Sequence, residues 1–197
     1  MLIGRDFVRY TILSIMPEME SRRSLYFLLA AVFLSRIPLL FGGFGSDGDA
    51  WRIAQTVHVL LSEGVYQVSR FPGFPVYEFL QTPVIALGGS IASNLSSLIV
   101  FMASVILFEK IIVRWNIPNG PMLVIAYSFL PILWKNSAVT MDYVWGLAGI
   151  LSALYLLTEK RALAAGILLG IAAGTRATHI LFVFHSFFTL RKEKRGR

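Results

Sequence analysis

A handful of charged positions stand out in an otherwise apolar chain. Asp47 and Asp49 lie in Phe44-Gly-Ser-Asp-Gly-Asp-Ala-Trp-Arg52, directly after the apolar run 25–43. A carboxylate at the mouth of a membrane helix is costly to desolvate. It is favourable only where it meets water, a cation or a reacting group. Two carboxylates separated by Gly48 can be turned toward one point. There they can act as a general base on a hydroxyl, or hold a divalent cation that steadies a leaving phosphate. Arg52 follows at once. Arg70 lies in Ser69-Arg-Phe-Pro-Gly-Phe-Pro75, where Pro72 and Pro75 stiffen the backbone beside a guanidinium. A stiff elbow next to an arginine suits bidentate phosphate binding. Asp142 opens a later apolar segment, and Arg176 falls between two short ones and needs a partner or a wet cavity.

Each of these has a plainer reading. Asp49 stands where an N-cap belongs, Asp142 where a helix-start acid belongs. Arg70 can snorkel to lipid headgroups. Asp47 lacks such an explanation and is favoured for chemistry. Glu78 is a weaker candidate of the same kind as Arg176. His58, His179 and His185 show no metal-ligand spacing and read as packing or interfacial residues.

The elements that must position these groups follow from hydropathy. The chain has 197 residues, 56% hydrophobic and 15% charged, where a soluble domain carries about 25% charged residues. Several continuous apolar runs predict an all-α, multi-span membrane protein and argue against a β-barrel, whose strands alternate. Residues 1–23 form a basic lead and 24–43 the first span. The external segment 44–90 holds an amphipathic helix near 49–63, ended by Gly64, then the proline elbow. Residues 76–89 are apolar but short and interrupted by Pro83, which predicts a juxtamembrane or re-entrant helix. Later spans are expected near 91–113, 119–134, 141–157, 162–175 and 177–190, with a basic tail at 191–197. The count is about six.

Charge placement orients this layout. With both termini cytoplasmic, the inner segments carry Arg5, Arg9, Arg22, Arg23, Lys110, Arg114, Lys160, Arg161 and the tail, against only Arg52, Arg70 and Lys135 outside. That bias accounts for the net charge of +7 and removes nucleic acid as a partner. Cysteine is absent, so disulfides, thiolate metal sites and a cysteine nucleophile are excluded. There is no Walker loop, GxSxG elbow, HExxH or dinucleotide fingerprint. Gly166, Gly170 and Gly174 make a small-residue stripe suited to close helix packing. Asn94-Leu-Ser96 matches a glycosylation sequon at a membrane boundary and reads as accidental.

The order of these motifs resembles the start of the C-type membrane glycosyltransferases, the broad group that includes protein mannosyltransferases and aminoarabinose transferases. The likeness rests on the first span, Ser46-Asp-Gly-Asp-Ala-Trp-Arg52, the amphipathic helix and Arg70-Phe-Pro-Gly-Phe-Pro75. It continues through Pro131, Thr140-Met-Asp142, the turn Lys160-Arg161 and Ala165-Gly-Ile-Leu-Leu-Gly-Ile-Ala-Ala-Gly-Thr-Arg176. The motifs are short and degenerate, and their order carries the weight. The resemblance implies the glycosyltransferase C-type fold and a polyprenyl-phosphate-linked sugar donor. It implies an acceptor on the external face and a divalent cation as the one conceivable cofactor. Asp47 or Asp49 would be the base or metal contact, and Arg52, Arg70, Asp142 and Arg176 would bind substrate. Family members usually continue with further spans, which this sequence does not show. The alternative is a non-catalytic assembly or binding subunit of the same fold, its glycine stripe serving a partner membrane subunit. A transporter fits less well, because the charges lie near one face whereas transport sites lie near the midplane.

Overall fold

The computed structural model describes residues 22–181. The helices are α1 Arg22–Leu40, α2 Gly48–Glu63, α3 Pro75–Arg114, α4 Gly120–Phe129, α5 Pro131–Asn136, α6 Tyr143–Thr158 and α7 Ala162–Thr175, followed by a 3-10 turn at Ala177–His179. No strand occurs among the described residues. The basic lead up to residue 21, most of the expected span 177–190 and the tail lie outside them, while Arg22 and Arg23 open α1.

Among the described residues, two helices are long and apolar enough to cross a membrane, Arg23–Leu40 and Pro75–Arg114. The expected count of six is not reached by that measure. The expected span 119–134 is two helices, because Pro131 lacks an N–H and drives Leu130 into an extended conformation (φ −56°, ψ 124°). Helices α6 and α7 are apolar, with 16 and 14 residues, shorter than the roughly 20 that a 30 Å hydrocarbon layer takes when upright. On α1, Tyr26, Phe27 and Leu34 are exposed, an exterior suited to hydrocarbon.

Helix α3 is not one rod. Gln81 bonds both Ser93 (2.8 Å) and Ser96 (3.3 Å). In a straight helix, residues 81 and 93 would stand about 18 Å apart. The chain therefore doubles back between them, at Gly88 (φ −153°, ψ 20°) and Gly89 (φ 56°, ψ −142°). The break expected at Pro83 is absent and the helix runs through it. Position 89 needs a conformation that side chains with a Cβ avoid, so the reversal falls where glycine makes it cheap. Gly89→Ala should cost about 1–3 kcal/mol, read as a lower melting temperature in detergent, with helical content kept.

The longer arm, 90–114, runs beside α1. Leu28, Val32 and Leu40 pack with Leu98, Phe101, Val105 and Ile112 to form the main core. Arg36 of α1 is fully buried in this region, with no carboxylate partner among the described residues. Its Nε donates to Ser137 Oγ (3.1 Å), its Nη1 to Ser35 Oγ (2.9 Å) and Val32 O (3.3 Å), and its Nη2 to Ser128 O near the end of α4. Phe101 and Phe129 present their rings to the guanidinium at 5.2 and 5.3 Å. The broken second half of the α4–α5 unit is thus tied to the first span. Helices α6 and α7 form a hairpin whose interface is Ala153, Ala165 and Leu169.

The two ends of this helical body differ in charge. At one end Arg114 pairs with Glu159 (3.0 Å) and donates to Thr158 O (3.1 Å), beside Lys160 and Arg161. At the other end meet the C-terminus of α7 and the N-termini of α2, α3 and α6. The two ends are about 24 Å apart, the length of α6.

Candidate functional site

The second end holds a cluster of alternating charge. Its centre is Asp142, the residue before α6. Its side chain makes no cap bond and is fully buried. Its two oxygens go instead to two arginines: Oδ1 to Arg70 Nη2 at 2.6 Å, and Oδ2 to Arg176 Nη1 at 3.3 Å. The plainer reading of Asp142 as a helix-start acid does not describe this geometry. Arg70 also approaches Asp49, with Nη1 3.2 Å from Oδ2. That contact is close enough for attraction but not aligned as a hydrogen bond. Arg70 Nη1 and the Tyr77 hydroxyl are buried polar atoms without a hydrogen-bond partner among the described residues. Asp49 in turn meets Arg52 at 3.4 Å on the outer, exposed side. Followed from contact to contact, the charges run Arg176, Asp142, Arg70, Asp49, Arg52.

Exposure rises on both sides of Asp142, to 28% at the Arg176 side chain on one side and steadily along the other. The Asp142 side chain is 0% exposed, Arg70 13%, Asp49 32% and Arg52 63%. With both carboxylates ionised, the five groups sum to one positive charge, and the exposed rim faces solvent. Each inner arginine rests on a ring: Arg70 on Phe74 at 4.4 Å and Arg176 on Tyr143 at 4.2 Å. A cation over an aromatic face is attracted by the ring quadrupole and loses rotational freedom. The guanidiniums are therefore held before any ligand arrives.

The positions come from a stitched pair of loops. Thr140 N–H donates to Phe44 O (2.9 Å). Thr140 Oγ1 bonds Ser93 Oγ and Asn94 Oδ1, and Asn94 Nδ2 donates to Leu40 O (3.2 Å) and Gly43 O (2.7 Å). These bonds place the start of α6, hence Asp142, against the end of α1, hence the loop that carries the aspartates. Asn94 is fully buried and not available to a glycosylating enzyme. Trp51 Nε1 donates to Gly45 O (2.9 Å) and packs edge-on against Phe44, fixing the first turn of α2.

The two loop aspartates exchange the parts expected of them. Asp47 is the N-cap of α2, its Oδ1 accepting from the Asp49 N–H at 3.0 Å. Asp49 lies in the first turn and its carboxylate is free to meet Arg70. The sequence pattern leaves the helix start uncertain by one or two residues, and a shift of two exchanges cap and ligand. Asp47 still borders a small cleft of about 20 Å³ lined by Ser46, Lys135 and Asn136, room for about one water.

Of the residues singled out from the sequence, Asp49, Arg52, Arg70, Asp142 and Arg176 are brought together, and Asp47 stands two residues away. No group of three or more His, Asp or Glu converges as a metal site among the described residues. Gly174 abuts Val76, while Gly166 and Gly170 face open space. His179 packs against Gly146 and the Ala172 carbonyl.

Sequence reading underrated Glu78. It is buried and accepts from the Tyr66 hydroxyl, the Ser69 hydroxyl and the Ser69 N–H (3.1 Å). Burial, and then the Glu78 carboxylate beside it, push the Tyr66 phenol well above its ordinary value, so it remains a donor. The signal that could have found Glu78 was an acid at the first turn of an apolar helix, four residues after Phe74.

No family model, curated protein or solved structure matches this chain.

Proposed function

We propose that this chain is a membrane glycosyltransferase, or part of one, that moves a sugar from a polyprenyl phosphate to an acceptor hydroxyl at the external face. The observation that carries the reading is the Arg70–Asp142–Arg176 arrangement. One buried carboxylate holds two ring-backed guanidiniums, next to apolar helices, in a cluster whose five charged groups sum to one positive charge. Such an arrangement suits a phosphate attached to a lipid.

The chemistry balances with these residues. The acceptor oxygen attacks the anomeric carbon and its proton passes to the Asp49 carboxylate. The bond from the anomeric carbon to the phosphate oxygen breaks, and its electron pair leaves with the polyprenyl phosphate. Arg70 and Arg176 neutralise the charge that develops there. Asp142 holds both arginines, and Arg52 lies where an acceptor would approach. Asp47 serves the site by fixing the helix that carries Asp49. A divalent cation would meet Asp47 and Asp49 if one takes part.

The gathering of Lys110, Arg114, Lys160 and Arg161 at the end opposite the site supports an orientation with the site outside and both termini in the cytoplasm. Two helices able to span, with α4, α6 and α7 completing the body, support the glycosyltransferase C-type fold as the reading of the whole.

The experiment is a pair of substitutions assayed for glycan transfer in membranes. Asp47→Asn should leave transfer within a few-fold of the parent, because asparagine caps as well as aspartate. Asp49→Asn should lower it by about 10²–10⁴, the worth of a general base. Full transfer by Asp49→Asn would remove the proposed base.

The second reading is the non-catalytic subunit. The open faces of Gly166 and Gly170, flanked by exposed Leu163 and Ile167, favour it, since such a stripe admits a partner helix. Co-purification of a stoichiometric membrane partner, with no transfer by the chain alone, would decide for this reading.

A further inference from the structure

We infer that Glu78 is the positioning residue for Arg70. The inference rests on the proposed phosphate role of Arg70 for its functional meaning, but its geometry stands independently. Arg70 sits in a loop without regular structure, yet its guanidinium must meet Asp142 and Asp49 together. Something has to hold the loop.

Three donors from the segment just before Arg70 converge on the Glu78 carboxylate. Oε2 accepts from the Tyr66 hydroxyl, and Oε1 accepts from both the hydroxyl and the backbone N–H of Ser69. The bonded N–H belongs to the residue adjoining Arg70, so the clamp fixes the main chain there and not only side chains. The same first turns of α3 supply two further rests. Phe74, one turn before Glu78, lies under the Arg70 guanidinium. Phe79 stacks on Tyr66 with centroids 5.0 Å apart. Gly73 (φ 100°) turns the chain back so tightly that a Cβ there would stand 2.9 Å from Val68 Cγ1. The elbow is therefore laid along one face of the start of α3, and Glu78 is its polar fastening.

The choice of residue points the same way. Among the described residues no arginine, lysine or histidine forms an ion pair with Glu78. A buried carboxylate met only by neutral donors is an expensive way to fill space. Its return is that one side chain accepts three bonds from a single loop, which a neutral amide, with one acceptor oxygen, does less well. The clamp also faces the site edge-on: Ser69 is bonded to Glu78 while its neighbour Arg70 is bonded to Asp142.

The absence of cysteine from the chain makes a direct test available. Aspartate 49 and arginine 70 are replaced together (D49C/R70C) in the full chain, in native membranes, and joined by a short bis-maleimide. This removes every contact of the Arg70 side chain, with Asp49, Asp142 and Phe74 alike, so proximity reports the fastenings made by Tyr66, Ser69 and Glu78. The cross-link should form readily with Glu78 present and fall by about tenfold in Glu78→Ala, the effect of losing bonds to a charged acceptor. Glu78→Gln should fall between, because its carbonyl oxygen restores part of the clamp. In the cysteine-free chain, Glu78→Ala should raise the KM for the lipid-linked sugar about tenfold and leave the KM for the acceptor unchanged. A merely structural residue would lower the active fraction and move neither KM. Unchanged cross-linking in Glu78→Ala overturns the inference. Lowered cross-linking in a chain that binds no lipid-linked sugar at all leaves the clamp standing and sinks the transferase reading. Should Glu78→Ala fail to accumulate, Tyr66→Phe combined with Ser69→Ala removes both hydroxyl donors, and cross-linking equal to the parent's in that pair would overturn the clamp.

Discussion

Asp142→Asn should slow transfer by at least about 10² and loosen the fold. Asparagine has nearly the same shape, so the change isolates charge. The carboxylate is fully buried and shared between Arg70 and Arg176 at 2.6 and 3.3 Å. Without it two guanidiniums are left close together in a partly desolvated place, and the amide offers them one oxygen where there were two. Removing one member of a buried charge network while leaving the others costs about 3–5 kcal/mol. A lower melting temperature in detergent checks that part, and it holds whatever the chain's activity. The transfer rate should fall by at least about 10², the scale on which misplacing a preorganised charge acts. Asp142→Glu restores the charge but lengthens the reach, so it should recover stability better than rate. A melt indistinguishable from the parent's in Asp142→Asn would show that the two arginines do not depend on this acid.

Arg36→Met is the second large effect, and it separates the scaffold from the site. Methionine matches the length of the stem and keeps the helix. It removes a charge that no acid among the described residues balances, which by itself would be a gain. Against this stand four hydrogen bonds, two of them to the main-chain carbonyls of Val32 and Ser128. Ser128 lies near the C-terminal end of α4, where carbonyls lack partners and the helix dipole favours a cation. The reference state matters. Within a membrane or micelle the separated α1 must also accommodate Arg36, so the desolvation cost is present on both sides and largely cancels. The lost bonds do not cancel. The expected result is a loss of about 2–4 kcal/mol, read by thermal melts or by protease access to the α4–α5 connection. Lipid-phosphate binding by the folded fraction should be unchanged, since Arg36 does not touch the charged cluster. Arg36→Lys should recover little, because a point charge cannot reach Ser137, Ser35 and the two carbonyls from one stem.

Much of the helical layout was legible. Helix α7 runs over 162–175 as the apolar pattern says, with Lys160-Arg161 in the turn before it. Helix α2 ends at Gly64, in the left-handed conformation that glycine adopts readily. These are local matters, decided by hydropathy and a single breaker. The division between 76–89 and 91–113 was legible and falls at Gly88-Gly89, while the interruption expected at Pro83 does not occur. What decides the break is the bond from Gln81 to Ser93, a tertiary contact that needs the reversal. The division of 119–134 at Leu130-Pro131 shows the opposite case: a proline in an apolar run did end the helix, since no neighbour compensated for it.

The sequence by itself determined which charges the chain must house and, through apolar runs, that helices would house them. It also determined the rough order of those helices, since length, periodicity and breakers act over a few residues. Only the tertiary structure decided which charges meet. Asp49 rather than Asp47 faces Arg70, because one of them is consumed by the cap. Asp142 is shared by two arginines because α6 and α7 return to the same end as the elbow. Glu78 became a fastening because the loop lay down across it. Partners 34 and 72 residues apart are chosen by the packing of whole helices, and no local pattern of residues encodes that distance.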